Sequence, residues 1–312
     1  MITKKTVLVL GAGASMPFGF PSGKKLVALI ADMLNGDSPT VSLLANHGYS
    51  KEQIWEFRDN LVLSGRLSVD EFLEYRTEFF DVGKEAITAA LLRFEQTNNL
   101  FNANIENNWY RYLFNLLNTS FDEFDQNKLA IITFNYDRSL EHYLFTALQN
   151  SYNRNDEECA DKLDKIPIVH VYSKIGRLPW EKSHYSLVPY DVGSHPDRLG
   201  LYVGRGRENI KIIHEDTEKD PEFNQAFELL STAEYIYFLG FGFNETNLKR
   251  LRIESLCKAD VSEKVICGTS YGLSQRQLEL VKRYRKTPNR LIDLYPQEIY
   301  EFLYNNPNAS LG

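Results

Sequence analysis

The chain has 312 residues, 43% hydrophobic and 25% charged, and its 42 acidic against 35 basic side chains give a net charge of −7. This length suits one large α/β domain or two modest ones. The acidic balance argues against direct nucleic-acid binding. No run approaches the ~18 uninterrupted apolar residues of a membrane helix, and no signal-peptide pattern opens the chain, so no membrane association and a cytoplasmic location are expected. Cys159, Cys257 and Cys267 are far apart with no CxxC pair, which argues against a zinc ribbon and a disulfide framework. None of the six histidines forms an HExxH or a close pair, so no metal is expected.

Thr6 to Leu10 is a short apolar run followed by Gly11-Ala12-Gly13-Ala14-Ser15. Strand, glycine turn and helix in that order present backbone N–H groups and a helix start to a phosphate. Gly11 allows the sharp turn and Gly13 the close approach of a pyrophosphate, so Gly13→Val is expected to abolish dinucleotide binding without unfolding the protein. A GxGxxG fingerprint would require glycine at Met16, which disfavours a conventional dehydrogenase. Packing of strand on helix is the simpler use of the same glycines. Ser15 to Gly23, with Phe20 and Pro21, has the constrained, aromatic composition of a lid, and a helix is expected from Lys24 to Leu34.

Between residues 35 and 128 no strand pattern occurs. Lys51 to Ser64, Val69 to Phe80, Gly83 to Thr97 and Asn108 to Asn118 all carry helical spacing. So long a helical stretch exceeds one crossover connection and reads as a helical subdomain inserted into the sheet. Its aromatic residues read as core. Asp70-Glu71 reads as the acidic first turn of a helix, although it could reach a cleft.

Ala130-Ile131-Ile132-Thr133-Phe134-Asn135-Tyr136-Asp137 is a strand buried on both faces that runs into polar residues. In open parallel sheets ligands bind beyond the carboxyl ends of the strands, which puts Asn135 and Asp137 at the rim of a crevice. Both also fit caps of the helix that begins near Ser139. Ile166 to Tyr172 is a third strand whose alternation puts His170 and Tyr172 on one face. A lone histidine there can also be purely structural. Gly204-Arg205-Gly206-Arg207 reads as a loop before a possible strand at Ile210 to His214. Tyr235 to Leu239 runs into Gly240-Phe241-Gly242-Phe243-Asn244, with Asn247 nearby, and Val265 to Ser270 repeats the strand pattern with Thr269 at its end. Ser274 to Tyr284 reads as an amphipathic helix, Lys282 to Lys286 as a basic but solvated face, and Asn305 to Gly312 as a frayed tail. The fold expected is Rossmann-like α/β, one domain over 1–312, with a mostly parallel sheet of about six strands and the insert at 35–128.

Four blocks in order, Gly11 to Ser15, Thr133 to Asp137, Ile168 to Ser173 and Leu239 to Phe243, resemble the sirtuin superfamily, specifically the bacterial sirtuin-like NAD-consuming proteins of anti-phage defence. Sirtuins carry Thr-Gln-Asn-Ile-Asp where this chain has Thr133 to Asp137, so the resemblance implies that Asn135 and Asp137 contact NAD. Two departures disfavour a protein deacylase: the cysteines cannot form its zinc module, and Tyr172-Ser173 stands where its His-Gly would be. The resemblance implies an NAD hydrolase that yields ADP-ribose and nicotinamide and acts by NAD depletion. It also implies a homo-oligomer or an assembly with a HerA-type ATPase or an Argonaute. Gly11, Ala12, Gly13, Ala14 and Ser15 would take the pyrophosphate, and Asn135 would hold the ribose or a water with Asp137 behind it. His170, or Tyr172 in its place, would accept the proton. Gly240, Phe241 and Thr269 would border the adenosine half, with Gly242, Asn247, Phe20 and Pro21 as further contacts. The alternative is a non-catalytic sensor of NAD or ADP-ribose.

Overall fold

The computed structural model describes residues 1–182, 186–212, 220–258, 264–283 and 292–305. Six parallel strands form one sheet in the order β3-β2-β1-β4-β5-β6. They are β1 (Thr6–Leu10), β2 (Leu129–Thr133), β3 (Ile168–His170), β4 (Tyr235–Leu239), β5 (Val265–Thr269) and β6 (Ile292–Tyr295). All five residues of β1 and of β2 are buried, which matches runs without polar alternation. The fold is therefore α/β and Rossmann-like, and every strand pairing is parallel.

Between β1 and β2 the described chain is helical. The helices are α1 (Gly23–Met33), α2 (Pro39–Asn46), α3 (Lys51–Leu63), α4 (Val69–Leu73), α5 (Phe80–Leu91), α6 (Thr97–Leu100) and α7 (Trp109–Leu116). Side-chain caps decide where most of them start: Ser22, Ser38, Ser50, Ser68 and Asn108 each accept an N–H from the first turn. The buried side chains of these helices are continuous with those of the sheet in one core. After β2 come α8 (Ser139–Tyr152), α9 (Asp156–Leu163), α10 (Pro196–Asn209), α11 (Pro221–Thr232) and α12 (Glu245–Arg250). Among the described residues no helix is long and apolar enough to cross a membrane.

Several expectations need correction. Gly204 to Arg207 lies inside α10, not in a loop. Glycine is a poor helix former, but a Cβ on Gly206 would meet the Thr88 side chain at 2.3 Å, so its absence lets α10 approach α5. Ile210 to Ile212 is not a strand: Ile210 is buried, and Lys211 N donates to Tyr172 O at 3.2 Å in a single contact with the chain just past β3. Residues 213–214 of that expected strand, 284–286 of the basic cluster and 306–312 of the tail lie outside the described residues. The sixth strand is β6, which the sequence reading missed. Finally, Ser15 to Gly23 is no free lid. Phe18 stacks on Tyr110 at 4.0 Å, and Phe20 is buried with its ring 6.0 Å from Phe94.

Register brings the functional edge together. Leu10 pairs with Thr133 on one side and with Leu239 on the other, so Gly11, Phe134 and Gly240 leave the sheet at one level. There the two glycine turns touch backbone to backbone. A Cβ on Gly13 would lie 2.7 Å from Gly240 Cα and 2.8 Å from its carbonyl oxygen, and one on Gly11 would lie 2.6 Å from Gly240 O. The expected role of Gly13 changes accordingly: the side chain it lacks would point at the β4 turn. Gly13→Ala should therefore lower unfolding free energy by about 1–3 kcal/mol in urea titration, the usual cost of overpacking. Gly242→Ala meets only a Gln277 side-chain atom at 3.9 Å and should leave stability within about 0.5 kcal/mol. Equal effects of the two changes would contradict the packing account.

Candidate functional site

A cleft of about 280 Å³ opens at the carboxyl edge of the sheet. Gly11 and Ala12 after β1, Phe134 and Asn135 after β2, Tyr172 after β3, and Phe241 and Gly242 after β4 line it. The chain runs outward from β1 through β2 to β3 and then returns to place β4 on the other side of β1. That reversal between β1 and β4 is the switch point at which open α/β sheets bind ligands. Phe134 anchors the floor, with edge contacts to Phe241 at 5.1 Å and Tyr172 at 5.6 Å.

The helical insert and α12 supply the remaining walls. Ser68, Asp70, Glu71 and Glu74 come from α4 and its borders, and Asn244, Thr246, Asn247 and Arg250 from α12 and its cap. Asp70 and Glu71 thus occupy a helix's first turn and line the cleft as well. Glu71 accepts from Asn244 Nδ2 at 3.1 Å, and Glu74 accepts from Arg250 Nη2 at 3.0 Å. Arg250 also donates to the Tyr172 hydroxyl at 2.5 Å, which donates in turn to Asn247 Oδ1 at 2.7 Å. Asp70 accepts from the Tyr136 hydroxyl, and burial raises its pKa. Glu74, Asn244, Thr246 and Arg250 were missed by sequence reasoning. The one signal for Arg250 was its place a helical turn after Asn247, which aligns the two on one face.

The glycine turn spends most of its N–H groups internally. Gly11 N donates to Leu239 O, Gly13 N to Gly240 O, Ala14 N to Gly11 O and Ser15 N to Ala12 O. Among the described residues, the N–H groups of Ala12, Phe241 and Gly242 make no hydrogen bond, and all three residues line the cleft. Asn135 is fixed by its amide nitrogen, which donates to Gly11 O at 3.0 Å and Ser15 Oγ at 3.1 Å; its amide oxygen has no partner among the described residues. The Ser15 hydroxyl in turn donates a hydrogen bond to Asp137 Oδ2 at 2.9 Å.

Asp137 stands behind this chain and does not line the cleft. Its other oxygen accepts from the Ser139 N–H at 3.2 Å and from the Ser139 hydroxyl, so Asp137 holds the first residue of α8 from one position before the Arg138 N-cap. Burial pushes its carboxyl up from the ordinary 3.8 to about 6, against the opposing hydrogen bonds from Ser139 and Ser15. Thr269, also buried, accepts the Gly240 N–H at 2.9 Å and sets the β4 turn without lining the cleft. Ala14, Phe20, Pro21 and Gly240 are likewise outside the lining, whereas Asn247 is in it.

His170 and Tyr172 do not share a place, contrary to the alternation. β3 ends at His170, Ser173 N turns back to the His170 carbonyl, and Ser173 is left-handed at φ 62°, so the period-two pattern stops. Tyr172 reaches the cleft. His170 is buried, with Nδ1 against Asn135 O at 2.8 Å and Nε2 against Glu141 Oε1 at 2.7 Å. Both ring nitrogens are engaged by acceptors within the core, so neither is presented to the cleft. Burial alone would raise the Glu141 carboxyl, but His170 and Lys174 beside it hold it well below the usual carboxylate range.

No family model and no curated protein matches the chain.

Asp137 gives a signed pH test. A carboxyl with a raised folded pKa costs stability in its ionised form, and that cost grows as pH climbs from about 4 to above 6. Asp137→Asn removes the cost. Its stability relative to wild type should be about 2 kcal/mol more favourable at pH 7 than at pH 4. Urea unfolding at the two pH values measures this, and an equal difference at both would contradict a buried, raised Asp137.

Proposed function

We propose that the cleft binds an NAD-type dinucleotide and that the protein hydrolyses its nicotinamide–ribose bond. One observation carries this reading: the ends of β1, β2 and β4 converge at the strand-order reversal around Asn135, whose amide oxygen is unspent. The N–H groups of Ala12, Phe241 and Gly242 are placed to receive the pyrophosphate. Asn135 presents its oxygen to a ribose hydroxyl or an attacking water, held in place through Gly11 and Ser15. Bond cleavage develops positive charge on the sugar, and the wall formed by Asp70, Glu71 and Glu74 favours that charge. On this reading the chemistry rests on positioning and electrostatics, and His170 braces Asn135 through the backbone carbonyl instead of acting as the base. The likeness of the four sequence blocks to sirtuin-like defence proteins supports the same substrate, a role in NAD depletion, and an assembly as the active form.

A second reading, an NAD or ADP-ribose sensor without turnover, is favoured by the engagement of both His170 nitrogens, since among the described residues the cleft lining then holds no imidazole. Incubation with NAD and chromatography of the products separates the two. On the hydrolase reading the wild-type chain, alone or assembled, releases nicotinamide, and Asn135→Ala lowers the rate at least about a hundredfold. Folded His170→Gln keeps the rate within about tenfold, where loss of a general base would cost more. Equal NAD consumption by wild type and Asn135→Ala overturns the hydrolase reading, and binding without consumption supports the sensor.

A further inference from the structure

We infer that Arg250 receives a phosphate of the bound ligand, and that Glu74 occupies Arg250 until the anion displaces it. The inference rests on the nucleotide-binding reading of the cleft. Among the described residues Arg250 is the only basic side chain in the lining, and it faces Asp70, Glu71 and Glu74. An anion entering that space meets three carboxylates and a single cation already engaged by one of them. Entry of a phosphate therefore requires an exchange of partners on the guanidinium.

The two sides of Arg250 are unequal. From the sheet side the Tyr172 hydroxyl accepts Nη1, and Tyr172 is itself held by Asn247 and by the ring of Phe134. That contact aims the guanidinium. From the insert Glu74 reaches across to Nη2 at 3.0 Å, and Glu71 makes a parallel crossing to Asn244. A pyrophosphate, with two terminal oxygens and one charge on each phosphorus, presents more acceptors and more charge to the guanidinium fork than the single carboxylate of Glu74 does. It can take Nη2 while Tyr172 keeps Nη1. Glu74, whose side chain is 22% exposed against 10% for Arg250, can then turn to water. Selection follows: a ligand without phosphate gains nothing from the exchange, while a pyrophosphate gains a cation that was previously neutralised.

Calorimetric titration of the full chain with ADP-ribose and with adenosine tests this, using wild type, Glu74→Gln and Arg250→Gln with folding checked by circular dichroism. Glu74→Gln should bind ADP-ribose about tenfold tighter and Arg250→Gln at least about tenfold weaker, with adenosine affinity unchanged in both. If Arg250→Gln does not fold, Glu74→Gln decides alone. Unchanged or weaker ADP-ribose binding by Glu74→Gln, or an equal shift for adenosine, overturns the inference and leaves the nucleotide reading standing. If no variant binds ADP-ribose, both fall together.

Discussion

The contact between the glycine turns after β1 and β4 is the constraint on which the rest of this site depends. Gly11 and Gly13 meet Gly240 at distances that leave no room for a Cβ, and their N–H groups are spent on Leu239 and Gly240. The contact locks the ends of β1 and β4 at one level. It also redistributes the donors: within the two turns, and among the described residues, the cleft-lining N–H groups left for a ligand are those of Ala12, Phe241 and Gly242. A glycine motif that looks like a phosphate cradle is here first a joint between two turns. The binding surface is what that joint leaves open.

Around it, buried polar groups tie the insert to the sheet. The Trp109 indole donates to Ala14 O at 2.8 Å, and the Tyr110 hydroxyl pairs with Ser139 Oγ at 2.7 Å beside Asp137. Arg138 and Glu95 form a fully buried ion pair. The remaining Arg138 protons go to the carbonyls of Gly176, Val188 and Pro189, which joins the insert, the start of α8 and the segment past β3. Such a pair adds little net stability over apolar packing, but removing either partner leaves a charge stranded in the core, at a cost of about 3–5 kcal/mol. It is therefore a device for fixing geometry. The chain Asn135–Ser15–Asp137–Ser139–Tyr110 transmits that fixity to the cleft.

How much of this was legible in the sequence depends on the element. β1, β2, β4 and β5 were plain because strands buried on both faces require continuous apolar runs, and these occur before glycine or asparagine. β6 was not, because its four residues, Ile-Asp-Leu-Tyr, are short, polar at Asp293 and only partly buried at the sheet's edge. Ile210 to Ile212 misled for the opposite reason: apolar residues packed as an irregular segment look like a strand until their hydrogen-bond partners are known. Asn135 and the glycine turns were legible because they follow strands directly. Glu74 and Arg250 were not, since they meet only through packing of the insert against α12, more than 170 residues apart in the chain. The place of His170 was lost to the tight turn from His170 to Ser173, closed by Ser173 N on the His170 carbonyl, which ended the alternation before Tyr172.

The central claim is that the open edge between the two glycine turns is a nucleotide site. Amide NMR spectra recorded during titration with ADP-ribose test it most directly, because the free N–H groups are named. The account predicts the largest shifts at Ala12, Phe241 and Gly242 and at the Asn135 side-chain amide, with Gly13 much less affected because its proton is held by Gly240. Shifts confined to another face of the protein, or none at saturating ligand, would contradict it.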